Sequence, residues 1–141
     1  MPAKSKAKKS AMLTEVEAKE LLKKAGIPVI ETRLARTKSE AVAIGREMGF
    51  PVVLKIVSPD IIHKSDIGGV KVNLTTAAQV GRAYNDIMAA VREKQPGAVI
   101  GGVSVQKMAR PGTEVIIGIS QDPQFGPVIM FGLGGILVEV L

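Results

Sequence analysis

A lysine inside an apolar segment and a histidine on the stretch that follows it are the residues here best suited to chemistry. Val52 to Val57 is a β-rich run. In an extended chain Val53, Lys55 and Val57 share one face while Val52, Leu54 and Ile56 share the other, so Lys55 sets a cation among aliphatic neighbours. Burying an unpaired ammonium is costly, and a fixed anion such as a phosphate relieves that cost. A lysine that keeps an edge strand from pairing with other chains is the alternative. His63, the only histidine, lies within Ser58-Pro-Asp-Ile-Ile-His-Lys-Ser-Asp-Ile-Gly-Gly69, beside Lys64 and near Asp60 and Asp66. An imidazole can act as base, ligand or nucleophile near neutral pH. With no second histidine and no cysteine to complete a site, metal binding through it is unattractive. Acid–base work or transient phosphorylation remain, alongside a surface histidine without a role.

Glycines and two acids complete the candidates. Gly68-Gly69 and Gly132-Leu-Gly-Gly135 allow backbone amides to approach an anion, which makes Gly68, Gly69, Gly134 and Gly135 candidate phosphate-loop residues. Neither stretch matches G-x-x-x-x-G-K-[ST] or the full G-x-G-x-x-G pattern, and as turns between strands they need no ligand. Glu114 and Glu139 are acids in apolar stretches and so candidate partners for a lysine, a magnesium ion or a nucleotide hydroxyl. The metal ligands stay open, with Glu139 a candidate that fraying near the last residue could simply expose.

Local patterns set the elements that must position these groups. Thr14 and Glu17 form a capping box, and Val16, Leu21, Leu22 and Ala25 recur at helical spacing up to Gly26-Ile27-Pro28, which predicts a helix over about 14–25. A short extended piece at 32–36 precedes a second helix, with Ser39 as its cap, Ala41, Val42, Ile44 and Met48 on one side, and Gly49 and Pro51 at its end. Strands follow at 52–57 and 70–74, then a helix at about 76–93. The last third reads as strands at 103–108, 114–119 and 128–133, whose short connections imply antiparallel neighbours.

Composition narrows the function classes. The 141 residues are 46% hydrophobic, as expected of one globular domain, and no apolar run reaches the roughly 18–20 residues of a membrane helix. Without cysteine there are no disulfides and no thiolate chemistry, and a cytoplasmic setting is expected. Three Phe and one Tyr leave little for stacking on single-stranded nucleic acid. The formal charge of +6 is concentrated in residues 1–12, where Lys4, Lys6, Lys8 and Lys9 meet no acid. That stretch is expected to be a disordered, solubilising basic tail, followed by a domain over residues 13–141. Specific nucleic-acid binding is not expected, although a small basic nucleic-acid-associated protein is a rival class.

Taken together, these features resemble the β subunit, or fused β domain, of the nucleoside-diphosphate-forming acyl-CoA synthetases. This family includes the ADP-forming acetate–CoA ligases, has the ATP-grasp fold and is related to succinyl-CoA synthetase. The resemblance covers residues 13–141. Its most specific part is FPVVLKIVSPDIIHKSDIGGVKVNL, from Phe50 to Leu74, supported by GTEVIIGISQDPQFGPVIMFGLGG, from Gly112 to Gly135. It implies an α+β ATP-grasp fold, a first lobe plus part of a second, with mostly antiparallel sheets packed with helices. The implied reaction is acyl-CoA + ADP + phosphate giving acid + ATP + CoA, with ATP/ADP and Mg²⁺ as cofactors. By the same resemblance, Lys55 contacts the nucleotide phosphates and His63 carries phosphoryl from a histidine of a CoA-binding α subunit to ADP. Gln106, Lys107 and Met108 form the hinge against which adenine rests, with Glu114 just beyond it. The family's domain continues past the length seen here, with an acidic-x-Asn motif that helps to hold Mg²⁺. The chain is therefore expected to be a fragment, or a truncated protein that depends on another chain, with a non-catalytic ATP-binding or interaction remnant as the other reading.

Overall fold

The computed structural model describes residues 12–134. Gly135, Glu139 and nearly all of the basic tail lie outside them. The elements run α1 (Glu15–Lys24), β1 (Thr32–Ala35), α2 (Lys38–Met48), β2 (Val52–Val57), β3 (Val70–Leu74), α3 (Ala77–Lys94), β4 (Gly102–Lys107), β5 (Val115–Asp122) and β6 (Gly126–Leu133). Two compact units result, the first ending at Met108 and the second beginning at Ala109.

Threonine hydroxyls start all three helices. Thr14 accepts from the Glu17 amide while the Glu17 side chain reaches back to the Thr14 backbone, so the capping box forms as expected. The second helix starts on Thr37, whose hydroxyl accepts from the Glu40 amide, rather than on the expected Ser39. Thr37 has the extended backbone that a cap requires, and the helix gains a turn position at its start. Thr76 caps α3 in the same way, and Gly49 ends α2 at a φ of 82°.

In the first unit the strand order is β1-β4-β2-β3, all antiparallel. Register sorts the two faces of this sheet. Ala35 and Val103, Val103 and Ile56, and Val105 and Leu54 are paired, and these residues form one core with Ala41, Ile44 and Met48 of α2 and Val80, Ile87 and Val91 of α3. The other face presents Val53 and Lys55 of β2, Ser104 and Gln106 of β4 and Thr32 of β1. Helix α1 meets this second face through Lys19, which donates to Thr32 and Gln106, and through Glu15. None of its residues is buried, and Leu21, expected in an apolar stripe, is 58% exposed. The seam under α1 is polar because Glu15 and Lys19 point to the sheet together, one helical turn apart.

The second unit is a two-stranded sheet in which β5 pairs antiparallel with β6. Asp122 pairs with Gly126, and its carboxylate accepts from the Gln124 and Phe125 amides, which closes the short turn. The expected pairing of the strand at 103–108 with the next one does not occur. β4 is already enclosed by β1 and β2, so Arg110-Pro-Gly112 is a connection between units and not a hairpin turn.

Close packing at the end of the loop before β3 gives a direct check. A Cβ on Gly69 would lie 2.6 Å from Ile56 Cγ2 and 2.9 Å from the Lys64 carbonyl oxygen, whereas one on Gly97 would meet nothing within 4 Å. Gly69→Ala is expected to lower unfolding stability by about 1–3 kcal/mol, the usual cost of overpacking, with Gly97→Ala near neutral. Urea denaturation of both variants measures this.

Candidate functional site

Lys55 sits on an interior strand, between β4 and β3, so the edge-strand reading of this lysine is excluded. Its side chain is only 24% exposed, and its ammonium donates to Glu15 Oε1 at 2.9 Å. The fixed anion that the apolar surroundings demand is thus a carboxylate from α1. Glu15 Oε2 accepts from Lys64 Nζ at 3.3 Å, and Lys19 Nζ lies 3.2 Å from Oε1. Lys19 then donates to Gln106 Oε1 at 2.6 Å and to Thr32 Oγ1 at 2.9 Å. One connected network therefore joins α1, β1, β2, β4 and the loop of His63.

Glu15 is the site residue that reading the sequence missed. Burial acts to raise its pKa, but the hydrogen bond and charge of Lys55, and after them those of Lys19, win and lower it from the usual 4.5 to about 2. Its one available signal was the spacing of four between Glu15 and Lys19. That spacing ordinarily reads as a surface ion pair worth a few tenths of a kcal/mol.

His63 is exposed on the loop between β2 and β3, whose two ends are firmly tied. At the near end the Asp60 carboxylate accepts from the Val99 amide at 2.7 Å, and the Asp60 carbonyl accepts from Gln95 Nε2 at 3.0 Å. Asp60, one of the two acids near His63 in sequence, is thus engaged elsewhere. At the far end the Gly69 amide donates to the Lys64 carbonyl at 2.7 Å, the Gly68 amide donates to Ser65, and the Gly69 carbonyl accepts from the Ile56 amide. The amides of Gly68 and Gly69 therefore serve the turn. Between α1 and this loop lies a cavity of about 180 Å³ whose lining includes Leu13, Glu15, Ser58, Ile62 and Lys64.

Of the expected hinge, Gln106 is half-buried under Lys19, while Lys107 and Met108 are exposed where β4 ends. Glu114 belongs to the second unit, is exposed just before β5, and accepts the Gly134 amide on its carbonyl at 2.9 Å. Among the described residues no three His, Asp or Glu side chains are grouped for a metal, and Glu139 lies outside them. No helix among the described residues is long and apolar enough to cross a membrane.

Residues 4–141 match the family model of the ATP-grasp domain. The chain is 54% identical over 129 residues to acetate–CoA ligase (ADP-forming) I subunit beta of Pyrococcus furiosus, an alignment that takes in 92% of this chain and 56% of that relative. A solved structure of the dinucleotide-forming acetyl-coenzyme A synthetase 1 of Ca. Korarchaeum cryptofilum, in complex with coenzyme A and Ca-AMPCP, superposes with a TM-score of 0.87 at 55% identity, over 91% of this chain and 56% of that one. Another structure of the same protein, with coenzyme A and Mg-AMPPCP and its phosphohistidine segment pointing towards the nucleotide binding site, gives a TM-score of 0.71 at 51% identity, over 89% of this chain and 52% of that one. The chain thus spans a little over half the length of these relatives. The Pyrococcus relative is one subunit of a multi-subunit synthetase.

The depressed pKa of Glu15 has a pH consequence. The carboxylate is stabilising in its charged form, so its contribution is complete above about 4.5 and is lost as pH falls toward about 2. Thermal unfolding of the wild type should therefore weaken more steeply than that of Glu15→Gln between pH 4.5 and 2. Parallel slopes would rule out the charged network as a source of stability.

Proposed function

We propose that this chain, which belongs to the ATP-grasp domain family, is the nucleotide-binding part of an ADP-forming acyl-CoA synthetase. Its reaction is acyl-CoA + ADP + phosphate giving acid + ATP + CoA, or the reverse. The observation that carries this reading is the half-buried Lys55 ammonium, held against an anion on an interior strand and linked through Glu15 to the loop of an exposed histidine.

The roles follow from the chemistry of each group. Lys55 neutralises nucleotide phosphate charge in a low-dielectric setting, where one charge counts for more than it would in water. His63 takes phosphoryl on a ring nitrogen as the N–P bond of a phosphohistidine on a CoA-binding α subunit breaks. It then passes it on as the N–P bond breaks and an O–P bond forms to the terminal phosphate of ADP. An exposed position suits a group that must reach a phosphoryl donor and then an acceptor. Gln106, Lys107 and Met108 serve as the adenine hinge, and Glu114 is a further nucleotide-binding residue. Mg²⁺ accompanies the nucleotide and supplies charge neutralisation when bound. The described residues do not by themselves group the acids to hold it, so no step here is routed through the ion. A cytoplasmic setting belongs to the same proposal.

Calorimetry with ATP tests the binding half. Lys55→Met is expected to weaken affinity about tenfold or more, the scale of one lost charge-assisted contact. Unchanged affinity would remove Lys55 from the site. Co-expression with a CoA-binding α subunit, followed by incubation with acetyl-CoA and labelled phosphate, tests the relay. Acid-labile label should appear on His63 and vanish in His63→Ala, and equal labelling of that variant would sink the carrier role. ATP binding without any labelling would instead mark a non-catalytic, nucleotide-binding domain.

A further inference from the structure

The charges around Glu15 do not balance. Lys55, Lys19 and Lys64 all place their ammonium groups within 3.3 Å of one carboxylate, so three positive charges face a single negative one. A group with two or more negative charges and several acceptor oxygens would satisfy these donors better than a carboxylate can. The two carboxylate oxygens are also divided between elements, Oε1 taking Lys55 from β2 and Oε2 taking Lys64 from the His63 loop. A phosphate bridging the same two ammoniums would hold the loop to β2 without α1.

Glu15 is free to yield its place. Helix α1 buries no residue, so no core packing has to break when its first turn shifts. Lys19 keeps the helix on the sheet through Thr32 and Gln106 even when Glu15 has left Lys55. The cavity of about 180 Å³ beside the carboxylate supplies room for movement, and it is lined by Glu15 and Lys64 themselves. An incoming anion competes with Glu15 for the same donors, because Lys55 and Lys64 already give their ammoniums to the two carboxylate oxygens.

We infer that Glu15 is an internal stand-in for a nucleotide phosphate: it occupies the Lys55 and Lys64 ammoniums in the empty protein and is displaced by an incoming phosphate group, which releases the His63 loop from α1. This rests on the reading of Lys55 as a phosphate-binding lysine. Regulation of the site is then built into the fold. The loop stays docked on α1 while no nucleotide is present, and it is released by the phosphate with which His63 is to exchange phosphoryl.

The test compares wild type, Glu15→Gln and Glu15→Asp by calorimetry with inorganic triphosphate, ATP and adenosine. Removing a competing anion should tighten inorganic triphosphate and ATP about tenfold in Glu15→Gln, leave adenosine unchanged, and give a smaller effect in the shorter but still charged Glu15→Asp. In a Lys55→Met background the gain from Glu15→Gln should shrink to that transmitted by Lys64 alone. Equal or weaker triphosphate binding by Glu15→Gln overturns the inference, since a residue that merely positions Lys55 would lower affinity when removed. Triphosphate binding to neither protein overturns it as well. The nucleotide reading fails separately. If Glu15→Gln tightens inorganic triphosphate while ATP binds neither protein better than that ion, the stand-in role stands without the nucleotide site.

Discussion

The ion pair between Lys55 and Glu15 constrains the first unit more than any other contact. An ammonium half-buried on an interior strand cannot be left alone, and the sheet offers it no acid: its neighbours across the ladder are Ser104 on β4 and Val70 on β3. The partner has to come from above the sheet, which is the place of α1. This explains why a helix with no buried residue stays on that face at all. Its grip is a row of charge-assisted hydrogen bonds rather than an apolar stripe, and breaking one member leaves another charge unpaired.

The same constraint divides the sheet into two unlike faces. Toward α2 and α3 the buried side chains of the sheet are all aliphatic, while Arg33, on the same face of the edge strand β1, is exposed and ion-paired with Glu47 of α2. Toward α1 it presents Thr32, Gln106, Ser104 and Lys55, groups that must each find a partner. Stability and chemistry are thereby separated. The buried core contains no candidate site residue, whereas Lys55 and Gln106 lie on the face covered by α1, a helix that contributes nothing to that core.

Residues with a strong local preference were readable from the sequence, and those whose meaning depends on distant chain were not. The strand at 52–57, the break at Gly49 and the capping box at Thr14 follow from neighbours a few positions away, and all three are found. The cap of α2 was misread by two residues because Thr37 and Ser39 offer similar hydroxyls, and only the extended backbone at Thr37 separates them. The pairing of β4 went wrong for a larger reason. A short connection favours an antiparallel neighbour, but β4 fills the gap between β1 and β2, whose paired residues stand 45 to 74 positions earlier in the chain. Glu15 was invisible for the same kind of reason, since its partners Lys55 and Lys64 stand 40 and 49 positions away. The family resemblance points to Lys55 and His63 but not to the carboxylate that pairs with Lys55.

How this fold would meet an anion also differs from what its glycines suggest. Adjacent glycines invite the picture of a loop whose amides cradle phosphate, as in helix-start phosphate sites. Here the amides of Gly68 and Gly69 already donate to Ser65 and Lys64. The Gly69 position is required by space, since any Cβ would strike Ile56 and the Lys64 carbonyl. What these glycines accomplish is to bring the loop back tightly against β2, so that Lys64 reaches the same carboxylate as Lys55. Anion recognition on this face therefore falls to mobile ammonium groups rather than fixed amides. Ammoniums can change partners without rebuilding backbone, a property that an exchange of one anion for another demands.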